Sequence, residues 1–123
     1  MKPELQKRLV RFSAQIIWAA RDMKPCFASK HLYTQIVRSS TSAALNYGEA
    51  QTAESRRDFI HKLGVVLKEL KETEVNLEIV IESKIYKKEQ EFIDALIECR
   101  ELIAIFMATR KTARSNGTEE CTR

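Results

Sequence analysis

A chain of 123 residues with a formal charge of +4, 44% hydrophobic and 31% charged residues fits one globular domain and excludes a disordered polymer. Its 3 glycines and 2 prolines are too few for the many turns of a β-sandwich or an α/β fold. The cysteines, Cys26, Cys99 and Cys121, are odd in number and form no CxxC pair, which argues against a disulfide framework or a zinc site and fits a reducing, cytoplasmic setting.

Pro3 suits the first turn of a helix, where a missing N–H costs nothing. Leu5, Leu9, Phe12, Ile16, Ala19 and Met23 then alternate by four and three, the spacing of one buried helical stripe. Pro25 ends this first helix, because the residue before a proline avoids the α region. Residues 1–9 hold no long apolar run, so no signal peptide is expected, and no stretch is apolar enough to span a membrane.

Ser29 is the expected N-cap of a second helix, with the stripe Leu32, Ile36, Ser39 or Ser40, Ala43, Tyr47 and Ala50. Ser39 to Ala44 are six small residues in a row. Small side chains let helix axes approach, and hydroxyls can bond back one turn, so the pattern predicts a tightly packed inner helix; a loop splitting it in two is the alternative.

Ser55 and Asp58 form an S-x-x-D start signal for a third helix. Phe59, Leu63, Val66, Leu70, Thr73, Leu77 and Val80 are its stripe, widened by Ile60, Leu67 and Ile81. A weakly marked turn near 83–86 leads to a fourth helix with Phe92, Leu96, Cys99, Ile103 and Phe106 in register, and Leu102, Ile105 and Met107 beside them. The expected fold is all-α, an antiparallel up-down-up-down four-helix bundle over residues 1–114, followed by a disordered tail at 115–123.

Familiar reaction chemistry is not signalled. A di-metal bundle needs two Glu-x-x-His motifs; only Asp58 to His61 has the spacing, and Asp58 reads as a capping residue, so no metal or other cofactor is expected. Gly48, Gly64 and Gly117 are scattered and make no phosphate-cradling loop, and G-x-S-x-G is absent. No catalytic residue is assigned, and a non-enzymatic role follows.

Two groups of polar residues stand out. Arg38, Ser42, Asn46 and Glu49 lie on one side of helix two, and Glu72 and Asn76 form a similar file on helix three. They read either as a site in a groove or as a network fixing helix register or a subunit contact, with the second favoured. Lys7, Arg8 and Arg11, then Arg56 and Arg57, then Arg110, Lys111 and Arg114 fall at the starts of helices one and three and the end of helix four. In an up-down bundle these share one end and read either as a solvated helix end or as a candidate phosphate-binding patch for RNA or DNA. No aromatic residues interleave with them, so no base-stacking surface is evident.

The run Gln35 to Ser42, then Asn46-Tyr47-Gly48-Glu49-Ala50, with Ser55 to Leu63 and then Leu67-Lys68-Glu69 and Glu72-Thr73, resembles the bacterial four-helix-bundle proteins labelled 23S rRNA intervening-sequence proteins. The resemblance covers about 40 residues closely and the outer helices in pattern. It implies a homo-oligomer, with a pentameric ring as in relatives. It also implies a structural or interfacial role for Arg38, Ser42, Asn46, Tyr47, Glu49 and Glu72. The similar accessory proteins of diversity-generating retroelements are strongly basic; this chain is only mildly so, and it has Lys84 where many relatives have a turn glycine. Surplus apolar residues (Val10, Ile17, Trp18, Ile60, Ile81, Ile105 and Met107) point to self-association independently. The expected function is nucleic-acid binding by an oligomer; a protein-interaction scaffold is the alternative.

Overall fold

The computed structural model describes the backbone of residues 3–122 and the side chains of residues 4–116. Four helices follow one another: α1 (Pro3–Ala20), α2 (Phe27–Gln51), α3 (Arg56–Ser83) and α4 (Glu89–Thr122). Each packs on its chain neighbours, and α4 closes back on α1; α1 and α3, like α2 and α4, lie across the core from each other. Cross-links show the antiparallel sense. Gln6 reaches Ala44 while Ser13 reaches Ser40, and Ser39 meets Thr73 while Glu49 meets Lys62.

The apolar stripes become the core. Leu9, Phe12, Ile16, Ile36, Leu63, Leu70, Leu77, Phe92 and Phe106 are fully buried. In α4 the buried file runs through Ala95 and Leu102 as well as Cys99, while the expected Leu96 is half-buried. The helix touches both α1 and α3, so its buried face is wider than one stripe and centred nearer Leu102.

The small-residue run stays helical and lies inside. Ser39, Ser40 and Ala43 are fully buried. The Thr73 hydroxyl donates to the Glu69 carbonyl at 2.9 Å, which leaves Ser39 to donate to Thr73 Oγ1 at 2.7 Å. Ser13 donates to the carbonyls of Leu9 and Ser40 at 3.1 and 2.9 Å. These hydroxyls are satisfied without water, so burying them does not carry the cost of an orphaned polar group.

The N-cap of α2 differs from expectation. Cys26 caps the helix, one turn before Ser29: its backbone is extended and its Sγ accepts from the Ser29 amide at 3.4 Å. Ser29 sits at the third helical position and its hydroxyl oxygen accepts from the Cys26 amide at 3.0 Å, completing a reciprocal capping box. Thiols are weak acceptors and carry little weight as cap signals beside a nearby serine. Ser55 caps α3 as expected, accepting from the Asp58 amide at 3.1 Å.

Helix α4 continues as helix past residue 114, the limit expected for the packed domain; Ala113 is its last buried side chain among those described. The α3–α4 connection is short. Lys84 ends α3 in the left-handed region (φ 57°), and the Lys24 amide donates to the Ile85 carbonyl at 2.9 Å, tying this turn to the segment after α1.

A residue with a Cβ is strained in that conformation by roughly 1–2 kcal/mol. Lys84→Gly is therefore expected to raise the unfolding free energy by about 0.5–1 kcal/mol after the extra entropy of glycine in the unfolded chain is subtracted. Chemical denaturation checks this; an unchanged or lower midpoint would mean the Lys84 side chain contributes more than its backbone strain costs.

Candidate nucleic-acid interface

The starts of α1 and α3 and the ends of α2 and α4 share one end of the bundle, as the cross-links above require. Two adjoining cavities open there, sharing Phe59 and Thr109. One, of about 790 Å³, is walled by Ala50, Ala53, Arg56 and Ala113 among others. The other, of about 620 Å³, lies between Leu5, Arg8, Tyr47 and Ile105.

The basic residues reach this end but are not equivalent. Arg8 faces α4 and makes a two-point ion pair with Glu98, Nε to Oε2 at 2.7 Å and Nη2 to Oε1 at 2.8 Å, with Glu101 at 3.6 Å. That hydrogen bond to Glu98 raises its pKa further. Arg8 is thus a tie between helices and a poor phosphate ligand. Arg110 lies over the backbone of α3: a Cβ at Gly64 would stand 2.8 Å from its Nη2, and its buried Nε meets no hydrogen-bond partner. Gly64 is what lets the guanidinium lie there.

Lys7 and Arg11 on α1, Arg57 on α3 and Lys111 on α4 are exposed and enter no ion pair among the described residues. Arg56 and Arg114 are exposed at the same end. Because α1 and α3 are diagonal, Lys7 and Arg11 sit on a different side from Arg57. The cations form a rim around the bundle end, and Glu4, Glu54 and Asp58 are interspersed with them.

The polar file of α2 and α3 closes on itself. Arg38 Nη2 donates to Glu72 Oε2 at 2.8 Å and Nη1 to Glu69 Oε2 at 3.3 Å; Glu69 is buried at 6% exposure. Glu49 pairs with Lys62 at 3.5 Å. Asn46 donates to the carbonyl and hydroxyl oxygens of Ser42 one turn back, and Asn76 to the Glu72 carbonyl. Tyr47 is buried, edge-on to Phe106 with ring centres 5.1 Å apart, and burial pushes its hydroxyl pKa up. Of these contacts the Arg38 and Glu49–Lys62 pairs cross the α2–α3 seam, the asparagine bonds stay within their own helices, and Tyr47 joins α2 to α4.

Several tying residues carried no sequence signal. Gln6 bridges Ala44 and Gln51, and Arg100 bridges Glu74 and Glu78. At the far end Lys88 pairs with Asp22 at 2.7 Å and lies 3.6 Å over the Trp18 ring. The hydrogen bond from Lys88 lowers the pKa of Asp22. Inter-helix partners of this kind depend on the rotation of each helix, which a charge pattern along one helix does not specify.

The two described thiols differ. Cys99 is buried and donates to the Leu70 carbonyl at 3.2 Å; burial pushes its pKa up to about 12. Cys26 is exposed, and hydrogen bonds from the Ser29 amide and side chain lower its pKa. No three His, Cys, Asp or Glu side chains converge as a metal site among the described residues. No helix among the described residues is long and apolar enough to cross a membrane.

Fold and seam together define a small antiparallel four-helix bundle whose second and third helices carry a shared polar signature. The chain belongs to the 23S rRNA-intervening sequence protein family, whose model matches residues 2–108. It is similar to a protein of unknown function from the S23 ribosomal protein family of Bacteroides thetaiotaomicron, known from its crystal structure. Identity is 28%, the TM-score is 0.76, and the match covers 87% of this chain and 98% of that one. No curated protein gives a significant match.

Two outcomes are expected from these contacts. Arg38→Ala should lower the melting temperature by leaving the buried Glu69 carboxylate without its cation, and adding Glu69→Gln should recover much of the loss. Equal melting of the single and double variants would show that Glu69 does not need the pair. In a chain with Cys121→Ser, iodoacetamide should label Cys26 with a rate that rises through a midpoint below the ordinary thiol value of about 8.5. Cys99 should remain unlabelled until the protein unfolds; labelling at matching rates would contradict the capped Cys26 geometry.

Proposed function

We propose that this protein is a non-enzymatic homo-oligomer that binds nucleic acid, RNA first, through the cations of its helix ends. The observation that carries the reading is the division of labour among those cations. Arg8, Arg38 and Arg100 are absorbed in ties between helices, whereas Lys7, Arg11, Arg57 and Lys111 are exposed at one end without ion pairs among the described residues. Cations repeated around a rim without ion-pair partners favour a phosphate backbone that follows the rim, and displacement of its counterions drives binding. The family name speaks of an rRNA intervening sequence, which makes RNA the first ligand to examine.

Self-association supports the reading in two ways. Val10, Trp18, Leu45, Val75, Ile79, Ile97 and Met107 are each 45–69% exposed, more apolar surface than a lone bundle has use for. A ring, five copies by the resemblance, repeats the basic rim and turns a mild charge per chain into a substantial one. The exposed and buried thiols, Cys26 and Cys99, fit a reducing, cytoplasmic setting. The second reading, a protein-interaction scaffold, draws on the same exposed apolar residues and needs no nucleic acid.

The test is binding of purified, nuclease-treated protein to structured RNA and duplex DNA across a salt series, with mass in solution recorded alongside. The combined variant Lys7→Ala, Arg11→Ala, Arg57→Ala and Lys111→Ala should flatten the slope of log K against log salt by roughly two to four, about 0.7–0.9 for each phosphate that is no longer neutralised. Arg8→Ala should leave the slope unchanged. Absence of binding at low salt, or a slope unmoved by the fourfold variant, would leave the scaffold reading in front.

A further inference from the structure

One exposed file of α3 changes character halfway along. Arg57, His61, Gly64, Lys68, Lys71, Val75, Glu78 or Ile79, and Glu82 follow one another at steps of three and four on the outer face. Up to Lys71 the file is basic. Val75 and Ile79 are then exposed at 54% and 45%, and Glu78 and Glu82 follow. Lys68, Lys71 and Glu82 enter no ion pair among the described residues, and Glu78 has only Arg100 at 3.9 Å. A shallow groove runs along the same face past Gln35, Arg38, Lys68, Lys71 and Val75, and a second hollow lies between Val75, Ile79 and Glu82.

We infer that this face of α3 docks on the same face of a second copy, antiparallel, about a two-fold axis at Val75. The charge order selects the partner and its direction. With the helices antiparallel, numbering runs in opposite senses in the two copies. Val75 meets Val75, Lys71 falls beside Glu78, and Lys68 falls beside Glu82, each contact occurring twice by symmetry. Lys71 and Glu78 lie on the α4 side of the file, and a two-fold axis in the contact plane keeps that side together. Ile79 lands against the Arg38–Glu72 pair of the second copy, whose long aliphatic stem gives it apolar cover. A parallel arrangement would set lysine on lysine and glutamate on glutamate. A nucleic acid matches the basic half of the file but leaves Val75, Ile79, Glu78 and Glu82 against its phosphates. Exposed ion pairs add little affinity and mainly fix register, so the buried valine and isoleucine side chains supply the attraction.

This contact is independent of the nucleic-acid reading and of any ring, since it joins two chains or two rings alike. Its test uses the full chain with Cys26→Ser and Cys121→Ser. Adding Val75→Cys should give a disulfide-linked dimer under mild oxidation, because a residue on the axis brings its own copy within the Cα separation of about 4.4–6.8 Å that a disulfide requires. Thr34→Cys, exposed on α2, is the control and should cross-link far more slowly. In sedimentation, Lys68→Glu with Lys71→Glu should weaken self-association roughly tenfold by setting like charges together. Adding Glu78→Lys and Glu82→Lys to that same chain should restore it, which only a face that pairs with itself does. Val75→Cys remaining monomeric, or no restoration in the fourfold reversal, overturns the proposal. So does a loss of nucleic-acid binding in Lys68→Glu/Lys71→Glu with the mass unchanged, which would assign the file to phosphate.

Discussion

The hydroxyl pair Ser39–Thr73, 2.7 Å apart and fully buried, marks where α2 and α3 approach through small side chains. Large apolar residues would hold the axes further apart, and the stripes on either side would then separate. The approach is possible only because each hydroxyl finds a partner inside: Ser39 gives its proton to Thr73, Thr73 to the Glu69 carbonyl, and Ser13 reaches across from α1 to the Ser40 carbonyl. A valine at Thr73 would have nearly the same volume but would leave Ser39 only the longer bond to the Ile36 carbonyl at 3.4 Å. The α2–α3 seam therefore carries hydrogen-bonded hydroxyls inside an otherwise apolar core, and it allows one register where an all-leucine seam would tolerate several.

The same register decides what the charges do. Once α2 and α3 are locked, Arg38 falls opposite Glu69 and Glu72. Further round the bundle, Arg100 falls opposite Glu74, and Arg8 opposite Glu98. Guanidinium groups suit these ties because their forked donors meet a carboxylate at two points. Most of these pairs are partly exposed, so they contribute modestly to stability, and their larger consequence is subtraction. Each removes a cation from the surface field. Cations free of ion pairs among the described residues remain at both ends of the bundle, Lys7, Arg11, Arg57 and Lys111 at one and Lys24, Lys30, Lys84 and Lys87 at the other, and along the outer file of α3.

How much of this was legible in the sequence follows from range. Stripes repeat within one helix, so Leu9, Phe12, Leu63, Leu70 and Phe106 could be placed in the core from spacing alone. The Ser55 cap is local and was equally readable; the Cys26 cap is just as local but uses a residue type with little capping weight. The fates of Arg8 and Arg110 were not readable, although their location at one end was. Whether an arginine at the surface meets a carboxylate depends on which residue the next helix rotates towards it. The α4 stripe gave Phe92, Cys99, Ile103 and Phe106 correctly and only Leu96 lies off the buried face, yet a stripe says nothing of which cation Glu98 meets on α1. Gly64 is similar: nothing near it in the chain calls for a glycine, and its reason, the guanidinium of Arg110, lies on another helix.

A bundle arranged in this way has little freedom to change shape in its core, so whatever it recognises meets it at the surface. The surface is not uniform. Cations rim the helix ends, apolar side chains are scattered over the outer faces, and α3 carries a file whose sign reverses along its length. On the proposals above, a field of that kind discriminates by orientation: a polyanion would meet the helix-end rim, while a second copy of the chain would be favoured only when it lies antiparallel. These two tendencies use largely different residues, Lys7, Arg11 and Lys111 for the first and Lys71, Val75 and Glu82 for the second. Assembly and ligand binding can then add to one another, because docking along α3 leaves the cations of the helix ends uncovered and doubles their number in a single particle.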